Sequence, residues 1–179
     1  MPPSRKIKTV IIRIKGKTED LMVKGKIKYL LLLAAAYLIV SCGKNVVYTD
    51  SHTMQGKTWR LRDIPVFKVP VTDTINSNNI YLVLRTGSSY PYRNIFLFVT
   101  TFSPERKSIT DTLEYNIADE RGNWYGKGFG DIHELKLPYK RNVFFPVSGE
   151  YQISVQHGMR IEDLKGVYDL GLRVEKTNK

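Results

Sequence analysis

Tyr151-Gln152-Ile153-Ser154-Val155-Gln156 puts an apolar side chain at every second position. Period two sends successive side chains to opposite faces, so this stretch reads as a strand with one buried and one wet face. The same alternation recurs at Leu113, Tyr115 and Ile117 against Thr112, Glu114 and Asn116, and at Leu170, Leu172 and Val174 against Asp169, Arg173 and Glu175. Ile95-Phe96-Leu97-Phe98-Val99 is apolar on both faces. It reads as a central strand covered on both sides, or as one whose outer face is an interaction surface. Ile80 to Arg85 has the same character, and further strands are expected at Val46 to Thr49, Thr58 to Arg62, Val66 to Val71, Trp124 to Lys127, Glu134 to Leu137 and Val143 to Phe145.

Turn chemistry supports antiparallel connections. Asp119-Glu120-Arg121-Gly122-Asn123 supplies hairpin residues between two strand candidates, and Pro146-Val147-Ser148-Gly149 does so before Tyr151. Strands at roughly 8 to 12-residue spacing without helices between them predict an all-β fold, an antiparallel β-sandwich with the jelly roll among its forms. One helical turn is expected at Met159 to Leu164, where Arg160, Glu162 and Asp163 interrupt the alternation.

The 179 residues suffice for one domain, and 42% hydrophobic with 25% charged residues is globular composition. A single cysteine excludes a disulfide within the chain and any cysteine-rich zinc or iron–sulfur site. The formal charge of +11 would suggest nucleic acid or an anionic membrane as partner. Its location says otherwise: nine basic and two acidic residues precede Cys42, so +7 lies there and +4 is left for the rest. Nucleic acid is not expected as a partner.

Behind Lys24, Lys26 and Lys28 lies Tyr29 to Val40, YLLLLAAAYLIV. Twelve apolar residues at about 1.5 Å each reach about 18 Å as a helix, short of a hydrocarbon core of about 30 Å. A basic stretch followed by such a run is a signal-peptide profile. Its end, Leu38-Ile39-Val40-Ser41-Cys42-Gly43, resembles the bacterial lipoprotein signal. In that chemistry the Cys42 thiolate takes a diacylglyceryl group and cleavage falls between Ser41 and Cys42. Each buried methylene of the acyl chains contributes about 0.8 kcal/mol, so two or three chains hold a protein on a bilayer without a span. The expected organisation is a signal peptide at 1–41, a lipidated tether at 42–54 and a β-sandwich at 55–179, with Met22 the expected natural start, because 1–21 lengthen the basic region beyond what export needs.

The candidate sites weigh against catalysis. His133-Glu134 would need a histidine at 137 for a zinc-protease motif, and that residue is Leu137. No nucleophile elbow or phosphate-binding loop occurs, and Ser148, Ser154 and His157 have no triad spacing. The run Gly126-Lys127-Gly128-Phe129-Gly130-Asp131 could bring backbone close to a ligand, with Asp119 and Asp131 as calcium ligands. A strand whose missing side chains make room for an aromatic such as Trp124, or a bulged edge, is the reading preferred. No cofactor beyond the lipid and no metal are expected. Tyr90-Pro91-Tyr92-Arg93 and Trp124-Tyr125 could form a stacking platform for a glycan, so Tyr92, Trp124 and Tyr125 are the candidate interaction surface, although such rings more often belong to the core or its corners. Lys136, Lys140 and Arg141 form a basic cluster, most simply a solvated face.

Several longer stretches together carry a family resemblance: Tyr92-Arg93-Asn94-Ile95-Phe96-Leu97-Phe98-Val99-Thr100-Thr101, Asp111-Thr112-Leu113-Glu114-Tyr115, Trp124-Tyr125-Gly126-Lys127-Gly128-Phe129-Gly130-Asp131, Phe145-Pro146-Val147-Ser148-Gly149 and Gln156-His157-Gly158-Met159-Arg160. In this order they resemble the GldH gliding-motility lipoproteins of the Bacteroidetes. The resemblance implies a lipid-anchored cell-envelope protein, structural or assembling in role, with partners among the gliding and type IX secretion envelope proteins. The alternative is a glycan-binding lipoprotein that assists polysaccharide uptake. Gly43-Lys44-Asn45 lacks the acidic run that accompanies surface export of lipoproteins in this phylum, which points to the periplasmic face of the outer membrane.

Overall fold

The computed structural model describes residues 45–177. The signal segment, Ser41, Cys42 and the start at Met22 lie outside the described residues. Eleven strands follow in order: β1 (Val46–Thr53), β2 (Thr58–Arg60), β3 (Val66–Val71), β4 (Asn78–Gly87), β5 (Asn94–Phe102), β6 (Ser108–Asn116), β7 (Lys127–Phe129), β8 (Ile132–Val143), β9 (Gly149–His157), β10 (Asp163–Lys165) and β11 (Val167–Lys176). They make a five-stranded sheet ordered β1-β11-β4-β8-β7, a four-stranded sheet ordered β3-β9-β5-β6, and a β2-β10 ribbon. Every pairing is antiparallel. With the three short strands set aside, the chain changes sheet after every long strand except β5, which returns directly as β6. This is the strand order of a jelly roll.

The period-two residues decide the packing. Ile80, Leu82 and Leu84 of β4 and Leu170, Leu172 and Val174 of β11 are buried on the inner face of one sheet, and Ile95, Leu97 and Val99 of β5 with Ile153 and Val155 of β9 on that of the other. All belong to a single core, to which the ribbon adds Trp59 and Leu164. The open flank between β6 and β8 is stitched by side chains: the Tyr115 hydroxyl donates to the Pro138 carbonyl (2.7 Å), the Tyr139 hydroxyl donates to Asp111 (2.8 Å), and Lys140 pairs with the same carboxylate (2.9 Å). Lys140 holds the Asp111 carboxyl below its ordinary pKa, and burial pushes the Tyr115 phenol up to about 12.

Four expectations change. The strand expected at Val46 to Thr49 runs on to Thr53 as β1 and pairs with β11, so it occupies residues also assigned to the tether. Asp50 and Ser51 read as linker because β1 is an edge strand that leaves them exposed. Met159 to Leu164 holds no helical turn; the chain bends there and enters β10. Trp124 precedes the strand to which it was assigned, which begins at Lys127. Glu134–Leu137 and Val143 belong to one twelve-residue strand, β8. Pro138 hid its continuity, because proline normally leaves a central strand. Here β7 covers β8 only at Ile132–Glu134, so Pro138 has a free side, and the pairing with β4 shifts register between Ile80 and Tyr81.

Leu172 is fully buried in the middle of its sheet. Leu172→Ala is expected to cost about 2–5 kcal/mol in urea unfolding, with the far-ultraviolet spectrum of the folded form unchanged.

Candidate functional site

The two outer faces of the sandwich differ in chemistry. On the five-stranded sheet, Arg85 binds Glu134 (2.8 Å) and Asp169 (3.5 Å), and Glu175 accepts from both Lys136 (2.8 Å) and Arg173. The Lys136 ammonium also lies 3.9 Å from the centre of the Tyr81 ring. Against the upward pull of burial, Lys136 and Arg173 hold the Glu175 carboxyl below its ordinary pKa. Burial raises that of Asp169 in spite of Arg85. This is a neutralised, internally satisfied surface.

The outer face of the four-stranded sheet has almost no charge. The register sets Phe98 between Gln156 and Thr112, Thr100 between Ser154 and Thr110, and Phe102 between Gln152 and Ser108. Phe98 and Phe102 are each 40% exposed. Phe96 borders a neighbouring hollow of about 430 Å³ with Tyr92, Gly158, Met159, Arg160 and Ile161. Of the two readings of Ile95–Val99, the first does not hold among the described residues: β5 is central, yet its outer face is uncovered.

The candidate residues Tyr92, Trp124 and Tyr125 do not form one exposed row. Trp124 is half-buried, stacked on His133 (5.0 Å between centroids, planes 9° apart) with Tyr90 edge-on at 6.3 Å. Tyr90 is buried, donates its hydroxyl to the Asn94 carbonyl (2.8 Å) and meets Tyr92 edge-on at 6.0 Å. Tyr92 is at the exposed end of this series of rings, and Tyr125, 63% exposed, lies outside it. Trp124 is therefore a packing residue, while Tyr92 and Tyr125 flank a cleft lined also by Arg93, Asn94, Glu114 and Glu120.

The glycine run serves the hairpin β7–β8. A Cβ at Gly126 would lie 2.7 Å from the Glu134 carbonyl, and one at Gly128 would lie 2.5 Å from the Ile132 carbonyl and 2.7 Å from the His133 ring. Close backbone approach thus clears the place where His133 meets Trp124. Asp119 accepts from the amides of Arg121 and Asn123 and from the Asn123 side chain, all at 2.8 Å, which closes its own turn. Asp131 accepts from the Ser88 amide (2.9 Å) and the Tyr168 hydroxyl (2.9 Å). Hydrogen bonding from Ser88 and Tyr168 holds its carboxyl down at about 2. The two carboxylates are thus spent on loop structure, and among the described residues no group of three or more His, Cys, Asp or Glu could hold a metal.

The remaining candidates are separated by the fold. His133 stacks on Trp124, Glu134 pairs with Arg85, and Leu137 lies in the core. Lys136 and Lys140 each have a carboxylate partner, and among the described residues Arg141, which is exposed, has none. His157 is fully buried beside Trp59 (5.4 Å, edge-on), and among the described residues neither ring nitrogen has a hydrogen-bond partner. Burial lowers its pKa, more than the nearby backbone of Trp59 and Glu162 raises it. Sequence reasoning passed over Arg93, Asn94, Glu114 and Glu120 as site residues; the signal available was their position at strand ends flanking Tyr92 and the Asp119 turn.

By strand order and faces the chain is a jelly-roll sandwich with one charge-paired and one sparsely charged outer face. It belongs to the GldH lipoprotein family, whose model matches residues 46–174. The Gliding motility lipoprotein GldH of Flavobacterium johnsoniae is 36% identical over 155 residues, 83% of this chain and 96% of that one. The Gliding motility lipoprotein GldH homolog of Christiangramia forsetii is 36% identical over 148 residues, 79% of this chain and 90% of that one. Among solved structures, that of infectious bursal disease virus Gx strain is similar over 73% of this chain and 30% of its own, at 15% identity and a TM-score of 0.28, too slight a likeness to argue from.

A base whose pKa falls on folding favours the folded state only above its unfolded value. The His157 contribution is complete above about 6.5 and declines as pH falls toward the lower folded value. Urea unfolding at pH 7.5 and 5.5 is expected to show wild type losing stability on acidification, and His157→Leu losing less.

Proposed function

We propose that this chain is a non-enzymatic docking component of the gliding-motility machinery, lipidated at Cys42 and working through protein contacts on the outer face of the β3-β9-β5-β6 sheet. Its membership of the GldH lipoprotein family gives the pathway: a lipoprotein with a role in gliding motility, held at a membrane of the cell envelope. The observation that carries the docking role is the contrast between the two outer faces. Exposed ion pairs such as Arg85–Glu134 stabilise a fold by about 0–1 kcal/mol each and keep a surface wetted. Phe98 and Phe102 have no such explanation, since each, 40% exposed, forgoes part of the about 1.5–3 kcal/mol that full burial contributes. A patch of rings set among Thr, Ser and Gln, with charge only at the margin in Lys68, Glu114 and Glu150, has the composition of an interface centre.

The occupant is another envelope protein of the motility and secretion apparatus, one that presents an uncharged face of its own. Anchoring through Cys42 keeps the sandwich at the membrane. Gly43-Lys44-Asn45 supports the periplasmic side of the outer membrane.

Phe98→Glu is expected to abolish colony spreading while lipidation and melting temperature stay at wild-type values; wild-type spreading would remove the docking role from this face. Cys42→Ala should release a soluble protein and weaken spreading, and full spreading with displaced protein would show that anchoring is dispensable. Protease added to intact cells is expected to spare the domain, whereas digestion would place it on the cell surface.

A further inference from the structure

The sparsely charged sheet face ends in a cleft of about 610 Å³, within the range of about 300–1,000 Å³ usual for small-ligand sites. The pairing Asn94↔Asn116 and Phe96↔Glu114 sets Asn94, Glu114 and Asn116 on the solvent side of β5 and β6, where they form the floor. Pro91-Tyr92-Arg93 makes one wall, and Ala118 to Glu120 with Tyr125 the other. The walls are held from beneath, because the Ile117 and Ala118 amides donate to the Arg93 carbonyl (2.7 and 3.1 Å) and the Tyr125 amide donates to the Ile117 carbonyl (3.0 Å). The backbone is thus set before any ligand arrives, which lowers the ordering cost of binding.

Most of the polar lining groups are uncommitted. Among the described residues the Asn94 amide donates to Glu114 (2.8 Å) and Asp119 is engaged by its own turn. The side chains of Arg93, Asn116 and Glu120 and the hydroxyls of Tyr92 and Tyr125 make no hydrogen bond or ion pair there. Donors and acceptors of both signs therefore surround two exposed rings. An anion would meet Glu114 and Glu120. An apolar ligand would strip water from these groups and return no partner. A neutral polyol satisfies them all, since each hydroxyl both donates and accepts, while the C–H face of an equatorially substituted pyranose packs on a tyrosine ring.

We infer that this cleft is a saccharide-binding site for a short segment of a neutral oligosaccharide. Tyr92 and Tyr125 lie under the sugar faces, and Arg93, Asn116, Glu114 and Glu120 take the hydroxyls. The cleft does not include Phe98 and meets the docking face only at its margin, in Glu114, so Phe98→Glu leaves sugar binding intact.

The test is calorimetric titration of the full-length lipoprotein in detergent with cellopentaose, laminaripentaose and mannopentaose. At least one is expected to bind with a dissociation constant below about 1 mM, and Tyr125→Ala and Glu120→Gln should each weaken it about tenfold, the loss of one ring contact or one charged hydrogen bond. Both side chains are exposed, so their melting temperatures should match wild type. Failure of all three sugars at millimolar concentration, or binding unaltered in both variants, overturns the inference. An oligolysine peptide that binds where the sugars do not would assign the cleft to a cationic peptide instead.

Discussion

The domain depends on the burial of two inner sheet faces against each other. Leu82, Leu84, Leu170, Leu172 and Val174 on one side and Ile95, Leu97, Val99, Ile153 and Val155 on the other are all at or below 5% exposure, in one continuous core. Each such side chain contributes about 1.5–3 kcal/mol relative to exposure. Because alternate residues must face inward to make this contact, the residues between them are committed to the two outer faces. The chemistry of those faces is thus a by-product of how the core is made, and evolution can alter it with little cost to the fold.

A sandwich has open flanks, and here they are closed by polar atoms on aromatic bodies. Tyr115 and Tyr139 place rings over the core and hydroxyls at the β6–β8 rim, where Pro138 and Asp111 accept from them and Thr101 donates to Tyr139. Trp59 does the same from the ribbon, donating its indole N–H to the Asp63 carbonyl at 2.7 Å. Rings with one polar tip suit such boundaries because the tip need not be desolvated without a partner. The series Tyr92, Tyr90, Trp124, His133 extends this pattern along a loop cluster and ends in solvent at Tyr92.

The strands were largely legible, because period two is written in neighbouring residues and the inner face confirms it position by position. β1 and β8 were less so. In β1 only one half-buried face distinguishes strand from linker, and in β8 Pro138 reads as a terminator unless the limited reach of β7 is known. The site was partly legible. Tyr92 and Tyr125 do flank a cleft, but Trp124, by type the best glycan platform, is occupied by His133. That contact depends on Gly128 leaving room across a hairpin, which residue type alone does not reveal.

By itself the sequence determined which side chains share a face of each strand, where the turns fall, and the lipidation proposal at Cys42, since each depends on residues a few positions apart. Only the tertiary structure decided that the sheets follow jelly-roll order, that Arg85, Glu134 and Asp169 neutralise one outer face, and that Phe98 is left uncovered on the other. It also decided that Asn94, Glu114 and Asn116 meet below Tyr92 and Tyr125. These outcomes depend on register between strands as far apart in sequence as β1 and β11, and register is set by hydrogen bonds and core packing summed over whole strands.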